Sequence, residues 1–266
     1  MVDFFKNRVV WITGASSGIG REIALQLSKR GSRLILTSSS KEKLEKVNQE
    51  CMVYSSAVHV VPADLTRADS IEPLTQKVTS IYNRLDVVIL NAGISQRGLI
   101  HESDFETHSK IFQINYFSNV QIVQHILPLF LEQGYGHLAV TSSITGKFGF
   151  PLRSAYSASK HAMHGFFETL HLEHFRDNIF VTIAMPGRVK TDISLNALDA
   201  SGKKHGKLDP GQANGISAEK CAEKYIKAIE KRKSEVLIGG KEIWMVHIRR
   251  FLPWLFYKIA GKISTT

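Results

Sequence analysis

The sequence predicts a single-domain α/β protein built on a doubly wound, mostly parallel seven-stranded sheet with helices on both faces. Three observations predict it. Short apolar runs rich in β-branched residues alternate with longer amphipathic stretches along most of the chain. Glycines cluster at the first junction between two such segments. With 266 residues at 43% hydrophobic composition, the chain is long enough to bury one substantial core.

In chain order, the run at 9–12 (Val-Val-Trp-Ile) reads as the first strand and leads through the glycines to a helix over 19–30. The run at 33–36 is the second strand, followed by a helix over 41–50; a third strand at 57–61 precedes a helix over 69–83. The wholly aliphatic 87–90 is the fourth strand, and helical spacing then continues over 103–132. Strands at 137–140 and 179–184 enclose a helix over 154–177, and a helix over 217–231 precedes the last strand at 235–238. Such runs suit strands buried on both faces, and right-handed crossovers between them give the parallel arrangement. Ligands on such a sheet bind at the carboxyl ends of the strands, and the distinctive residues of this sequence fall there.

Directly after the first strand stands Thr13-Gly14-Ala15-Ser16-Ser17-Gly18-Ile19-Gly20. Glycine lets the backbone turn tightly and approach a pyrophosphate, while the following helix offers unpaired N–H groups and the positive end of its dipole. The spacing is G-x-x-x-G-x-G, unlike the G-x-G-x-x-G dinucleotide fingerprint, and taken alone it also fits a tight turn without a ligand. Further along, Asn91-Ala92-Gly93 ends the fourth strand, Asn115 lies in the next helical stretch, and Ser143 follows the fifth strand. Tyr156 and Lys160 open the helix after that, and Pro186-Gly187 with Val189 and Thr191 follow the sixth strand. In this order and spacing the motifs resemble those of the short-chain dehydrogenase/reductase family, from about residue 8 to residue 238. That resemblance implies a Rossmann-like catalytic domain over about 1–240 and an oxidoreductase that moves a hydride between a nicotinamide ring and an alcohol or ketone carbon.

The chemistry of those residues is consistent with it. Hydride transfer to a ketone builds negative charge on oxygen, so a proton donor must stand within hydrogen-bond reach. A free tyrosine titrates near ~10, and a neighbouring ammonium favours its phenolate. Lys160, one helical turn after Tyr156, lies on the same face. The resemblance implies Tyr156 as acid/base and Lys160 as the ammonium that also holds the nicotinamide ribose. It further implies Ser143 as hydrogen-bond partner of the substrate oxygen and Asn115 as holder of a proton-relaying water. Ser142 is the neighbouring candidate, and Ser143 is preferred because it lies thirteen residues before Tyr156, the separation that the resemblance implies. It places Asp64 and Leu65 near adenine, Asn91 near the adenine ribose, and 186–191 near the carboxamide.

The choice of dinucleotide turns on the end of the second strand, where an acidic residue would repel a 2′-phosphate. None is present: Thr37-Ser38-Ser39-Ser40-Lys41 offers hydroxyls and a cation. NADP(H) is therefore favoured, with NAD(H) the alternative.

The formal charge of +10 suits an anionic partner, but no zinc-finger spacing, basic arm or RNA-binding aromatic signature accompanies it, so nucleic acid is not expected. Cys51 and Cys221 fit no metal or redox spacing and read as reduced thiols of a cytoplasmic protein. The apolar run at 9–13 is too short for a secretory signal. His161, His164, His171 and His174 share one helix, but no carboxylate or cysteine is seen to complete a ligand set, so no metal is expected. The polar, glycine-containing stretch 192–215 reads as a substrate lid offering Ile193, Leu195 and Leu198, or as disorder. In the tail, 241–266, an apolar stripe (Trp244, Ile248, Phe251, Leu252, Leu255, Ile259) alternates with Arg249, Arg250, Lys258 and Lys262. Such a segment lies on an anionic membrane surface, caps the substrate pocket or joins a subunit interface, and Pro253 kinks it. The expected partners are a hydrophobic carbonyl or alcohol substrate and a second copy of the chain, as homodimer or homotetramer. The competing readings are a nucleotide-sensing module without turnover and a membrane-surface scaffold.

Overall fold

The computed structural model describes residues 3–55 and 57–262. Seven strands form its main sheet: β1 (Val9–Thr13), β2 (Arg33–Thr37), β3 (Val58–Val60), β4 (Val87–Leu90), β5 (Gly136–Thr141), β6 (Ile179–Pro186) and β7 (Glu235–Ile238). Around them run α1 (Gly18–Lys29), α2 (Lys41–Met52), α3 (Ile71–Tyr82), α4 (Phe105–Phe112), α5 (Ser118–Gln133), α6 (Ser154–Glu173) and α7 (Ala218–Glu230). Two further helices, α8 (Trp244–Phe251) and α9 (Pro253–Ala260), follow β7.

The strand order is β7-β6-β5-β4-β1-β2-β3, and every pairing is parallel, so the sheet is wholly rather than mostly parallel. The chain winds outward from β1 to β3, returns across β1 to β4, and then winds the other way. This reversal opens a crevice at the carboxyl ends of β1 and β4. β1, β4 and β5 are buried at every residue, which is why their sequences show no alternation. One face packs under α1, α2 and α7 through Ile23, Leu27, Leu44, Val47, Tyr225 and Ile229. The other packs under α3, α5 and α6 through Leu74, Val78, Ile122, Phe130, Met163 and Phe167.

Local chemistry sets the ends of these elements. Ser40 and Ser217 accept the amide N–H of Lys43 (3.3 Å) and Lys220 (3.2 Å), capping α2 and α7. α5 stops at Gly134, whose φ of 67° suits glycine. Buried Asp86, just before β4, accepts the Val9 amide at 2.9 Å and bonds Arg8 (3.2 Å) and Arg84 (2.8 Å), tying the start of β1 to its neighbour.

Two expectations about helices and loops are corrected, while the tail breaks before Pro253 as expected. The single helix over 103–132 is instead α4 and α5, joined by a π turn at Gln113–Phe117. One extra residue in that turn leaves the Asn115 carbonyl to accept from Asn119 Nδ2 at 2.8 Å, an insertion that a 3.6-residue period does not reveal. The stretch 192–215 contains short structure: Leu198–Asp199 pairs with Gln96–Arg97, and Pro210–Ala213 forms one helical turn. The amphipathic tail divides at Leu252, before Pro253, because a pyrrolidine ring disfavours helix in the preceding residue. Phe256 and Ala260 of α9 are buried with Phe148, the two phenyl rings 5.1 Å apart, while Trp244, Phe251, Trp254 and Tyr257 are exposed. The tail's last four residues, 263–266, lie outside the described residues. Among the described residues, no helix is long and apolar enough to cross a membrane.

Candidate active site

A cleft of about 550 Å³ lies over the carboxyl ends of β1 and β4. Gly14, Ser16, Ser17, Gly18 and Ile19 form one wall. Gly14 and Gly18 have φ of 65° and 54°, the left-handed region that favours glycine. A Cβ on Gly14 would stand 2.8 Å from the Ala92 Cα, and one on Gly20 would stand 2.3 Å from the Gly14 carbonyl oxygen. Gly20 thus acts from behind the wall, letting the loop fold onto α1. Ser17, at the N-cap position of α1, makes no side-chain cap, which leaves the first-turn N–H groups available at a wall of the cleft. A glycine cradle ending in uncapped amide donors fits a pyrophosphate, and the elongated cleft beyond it fits a dinucleotide.

Ser38 and Ser39, at the end of β2, line the cleft beside Asp64 and Leu65. Asn91, Ala92 and Gly93 also line it, Asn91 Nδ2 donating to the Gly14 carbonyl at 3.3 Å and Thr141 Oγ1 donating to Asn91 Oδ1 at 3.1 Å. Thr191 reaches over the loop, its methyl 3.0 Å from where a Gly18 Cβ would be. Pro186, Gly187 and Val189 line an adjoining pocket of about 250 Å³ rather than the cleft, and the two spaces share Ile19, Thr141, Ser142, Tyr156, Thr191 and Ile193. The cation expected from Lys41 comes instead from Lys43, because Lys41 opens α2 exposed and the second helical residue after it reaches the wall. Lys204 and Asn196, which no sequence spacing singled out, line the cleft as well. Of the three apolar lid residues, Ile193 reaches both spaces, whereas Leu198 packs with Ile111 and Ala155 and half-buried Leu195 lines neither.

Tyr156 stands where cleft and pocket meet. Lys160 follows one turn later on α6, its Nζ 5.8 Å from the centre of the Tyr156 ring and 2.7 Å from the Thr141 carbonyl oxygen, to which it donates. Ser143 lines the pocket beside Tyr156 and accepts from the Thr145 amide at 3.2 Å. Ser142 lines both spaces as well, but its hydroxyl is tied to His164 Nε2 at 3.1 Å and to the Lys160 carbonyl at 3.4 Å. Asn115 is held through its side chain: Oδ1 accepts the Ile94 amide at 2.8 Å, and Nδ2 donates to the Ile94 carbonyl (3.0 Å) and Ser159 (3.1 Å). A Cβ on Gly93 would lie 3.1 Å from Asn115 Oδ1 and 3.5 Å from Lys160 Nζ, so glycine keeps the space between those two side chains open.

Electrostatics correct one expectation. Burial pushes Lys160 down to about 7. Burial also pushes the Tyr156 phenol up, against the Ser143 hydroxyl and the Arg153 and Arg97 charges that favour its phenolate. Rather than the ammonium acidifying the phenol, both groups shift toward neutrality, because both are withdrawn from water and the ammonium is turned to the Thr141 carbonyl.

The helix of histidines also differs from expectation. Two carboxylates do approach His164: Glu168 at 3.5 Å and Glu235 at 3.4 Å. Lys147 already supplies the cation, its Nζ 2.6 Å from Glu235 and 3.6 Å from Glu168, and the bonds from His164 and Lys147 hold Glu235 down to about 2.

Sequence reasoning missed a charged group in the smaller pocket. Arg97 Nε lies 3.2 and 3.1 Å from the two carboxylate oxygens of Asp209, and Arg153 Nη2 lies 2.9 Å from one of them. These residues sit far apart in sequence with no shared spacing, and only the fold unites them.

The chain matches the short chain dehydrogenase family over residues 8–201. It is 38% identical to the mouse "Dehydrogenase/reductase SDR family member 7B" over 263 residues, which cover 97% of this chain and 81% of that protein. It is 35% identical to the Drosophila melanogaster "Dehydrogenase/reductase SDR family protein 7-like" over 261 residues, 96% of this chain and 80% of the relative. Among solved structures, a Burkholderia phymatum short chain dehydrogenase/reductase in complex with NAD superposes with a TM-score of 0.83 at 22% identity, covering 94% of this chain and 95% of the other. An alcohol dehydrogenase from Thermococcus sibiricus complexed with 5-hydroxy-NADP gives 0.75 at 25% identity, covering 89% and 97%. With its parallel sheet, glycine-loop cleft and Tyr156–Lys160 helix, the chain belongs to the short-chain dehydrogenase/reductase family of oxidoreductases.

Proposed function

We propose that the protein is an NADP(H)-dependent oxidoreductase acting on an alcohol or ketone carbon of a hydrophobic small molecule. The observation that carries this reading is the position of Tyr156 at the junction of the cleft and the smaller pocket, with Ser143 beside it and Lys160 one turn behind. A nicotinamide bound in the cleft would supply or accept the hydride. Ser143 and Tyr156 hold the substrate oxygen, Tyr156 gives or takes its proton at the phenolic oxygen, and Lys160 binds the nicotinamide ribose. Asn115, fixed by its bonds to Ile94 and Ser159, stands across the Gly93 gap from Lys160 and places the water that carries the proton onward.

Gly14, Ser16, Ser17, Gly18 and Ile19 cradle the pyrophosphate, with Gly20 supporting that loop from behind; Asp64 and Leu65 flank adenine, and Asn91, Ala92 and Gly93 support its ribose. Pro186, Gly187, Val189 and Thr191 meet the carboxamide. NADP(H) is favoured over NAD(H) because Ser38, Ser39 and Lys43 line the adenosine end of the cleft with no carboxylate at the end of β2 to repel a 2′-phosphate. The apolar wall formed by Phe148, Phe150, Ile193 and Met245 supports a hydrophobic substrate.

We read residues 1–240 as the catalytic domain, 192–215 as its lid, and the tail from 241 as both a wall of the pocket, through Met245, and a peripheral membrane contact. Exposed Trp244, Phe251, Trp254 and Tyr257 beside Arg249, Arg250 and Lys258 suit an anionic lipid surface. Exposed Phe117, Leu131, Leu172 and Phe175 on or next to α5 and α6 suit a homodimer or homotetramer of a cytoplasmic enzyme. Following reduced-nicotinamide absorbance with NADPH and NADH against a panel of ketones, and NADP⁺ and NAD⁺ against alcohols, tests the reading. Turnover of apolar ketones with NADPH is expected; binding of neither cofactor would overturn it.

A further inference from the structure

The smaller pocket is apolar over much of its wall, yet it carries three arginines, Arg97, Arg153 and Arg188, against two carboxylates, Asp209 and Glu242. Two of the arginines converge on one carboxylate. Arg97 is nearly enclosed, with 5% of its side chain exposed, and its fork grips Asp209 while Nη1 donates to Ser95 Oγ at 2.8 Å and to the Gln96 carbonyl. Arg153 lies over the Phe150 ring at 4.9 Å, gives one N–H to Asp209 and makes one long contact of 3.5 Å to the Pro151 carbonyl. Of its five N–H groups, the remaining three have no partner among the described residues. A brace between the 192–215 segment and the body would need one guanidinium for one carboxylate. The second leaves an uncompensated, partly desolvated positive charge, and burial together with the Arg97 charge pushes Arg153 down to about 10. That charge stands in the same pocket wall as Tyr156 and Ser143.

We propose that Arg153, seconded by Arg97, recognises an anionic substituent on the substrate, a carboxylate or a phosphate monoester, placed close to the reacting carbon. Asp209 orients both guanidiniums as a carboxylate carried in on the lid segment, and the free donors of Arg153 face the incoming anion. The substrate class is then an amphiphile: an apolar chain along Phe148, Phe150 and Met245, and a charged end at the arginines. A planar fork matches both anions bidentately, which a lysine would not. The inference rests on the oxidoreductase reading only in taking this pocket as the substrate's.

Its test needs no turnover. Octanoate, octyl phosphate and neutral octanol are titrated calorimetrically into the full-length protein in the presence of NADP⁺, for the wild type, Arg153→Gln and Arg153→Lys. The wild type is expected to bind one of the two anions about tenfold to a hundredfold more tightly than octanol. Whichever anion wins identifies the headgroup, Arg153→Gln abolishes the preference, and Arg153→Lys retains part of it. Equal affinity for all three ligands, or a preference that survives Arg153→Gln, overturns the proposal. Failure of the ketone screen with anion preference intact would instead overturn the reaction and leave the anion site standing.

Discussion

Replacing Lys160 by Met should stabilise the protein in the absence of nucleotide, with a pH dependence set by the amine alone. Lys160 is 3% exposed and burial brings it down to about 7, whereas an unfolded lysine titrates near its ordinary 10.5. A tenfold weaker hold on a proton corresponds to about 1.4 kcal/mol, so the protonated form opposes folding by about 5 kcal/mol at most. Because the folded amine binds its proton more weakly than the unfolded one, the unfolded state holds more protons between pH 7 and pH 10.5. Stability therefore rises with pH across that window and is flat below it. Losing the hydrogen bond to the Thr141 carbonyl costs the variant about 1 kcal/mol. Arg and carboxylate groups elsewhere act equally on both proteins, so the difference between variant and wild type isolates this amine. Urea unfolding at pH 6, 7, 8 and 9 should show Lys160→Met more stable by about 3–4 kcal/mol at pH 6, with the advantage shrinking by about 3 kcal/mol at pH 9. A difference that does not change with pH would refute the claim that the ammonium is held at the expense of stability. Such a cost is expected where a charge is kept for chemistry rather than for folding.

Gly20→Ala would push a methyl into the Gly14 carbonyl, and NADPH affinity measured by fluorescence titration should fall at least about tenfold while the fold persists. Asp86→Ala removes the carboxylate that satisfies the Val9 amide and two arginines, and urea unfolding should register a loss of about 3 kcal/mol or more. Phe251→Ala with Trp254→Ala should release the protein from vesicles containing anionic lipid without lowering its thermal midpoint, since both side chains are exposed. Retained vesicle binding would assign the exposed tail aromatics to a protein contact.

The fold was legible because burial on both faces of a parallel sheet leaves an unmistakable pattern: runs such as 87–90 have no polar member, and the stretches between them keep helical spacing. Glycines carried the cleft, since Gly14 and Gly18 occupy backbone regions that other residues avoid. Asn115, Tyr156 and Lys160 were legible through motif order, but not their electrostatics, because a sequence does not report how far a phenol and an amine are withdrawn from water. The π turn around Asn115 was hidden because one inserted residue hardly disturbs a 3.6-residue period. Arg97, Arg153 and Asp209 were invisible for a different reason. Three charged residues scattered over 112 positions read as solvated surface until the 192–215 segment brings Asp209 back onto the pocket. Around His164, Glu168 was within reach of sequence spacing, four residues on along α6, whereas Lys147 and Glu235 join them only through the fold.

The sharpest measurement is Tyr156→Phe, assayed for both turnover and NADPH binding on the same preparation. Loss of the phenolic oxygen alone should lower kcat by about 10²- to 10⁴-fold while the dissociation constant for NADPH stays within about twofold. Turnover equal to that of the wild type would remove the proton donor on which the proposed reaction depends.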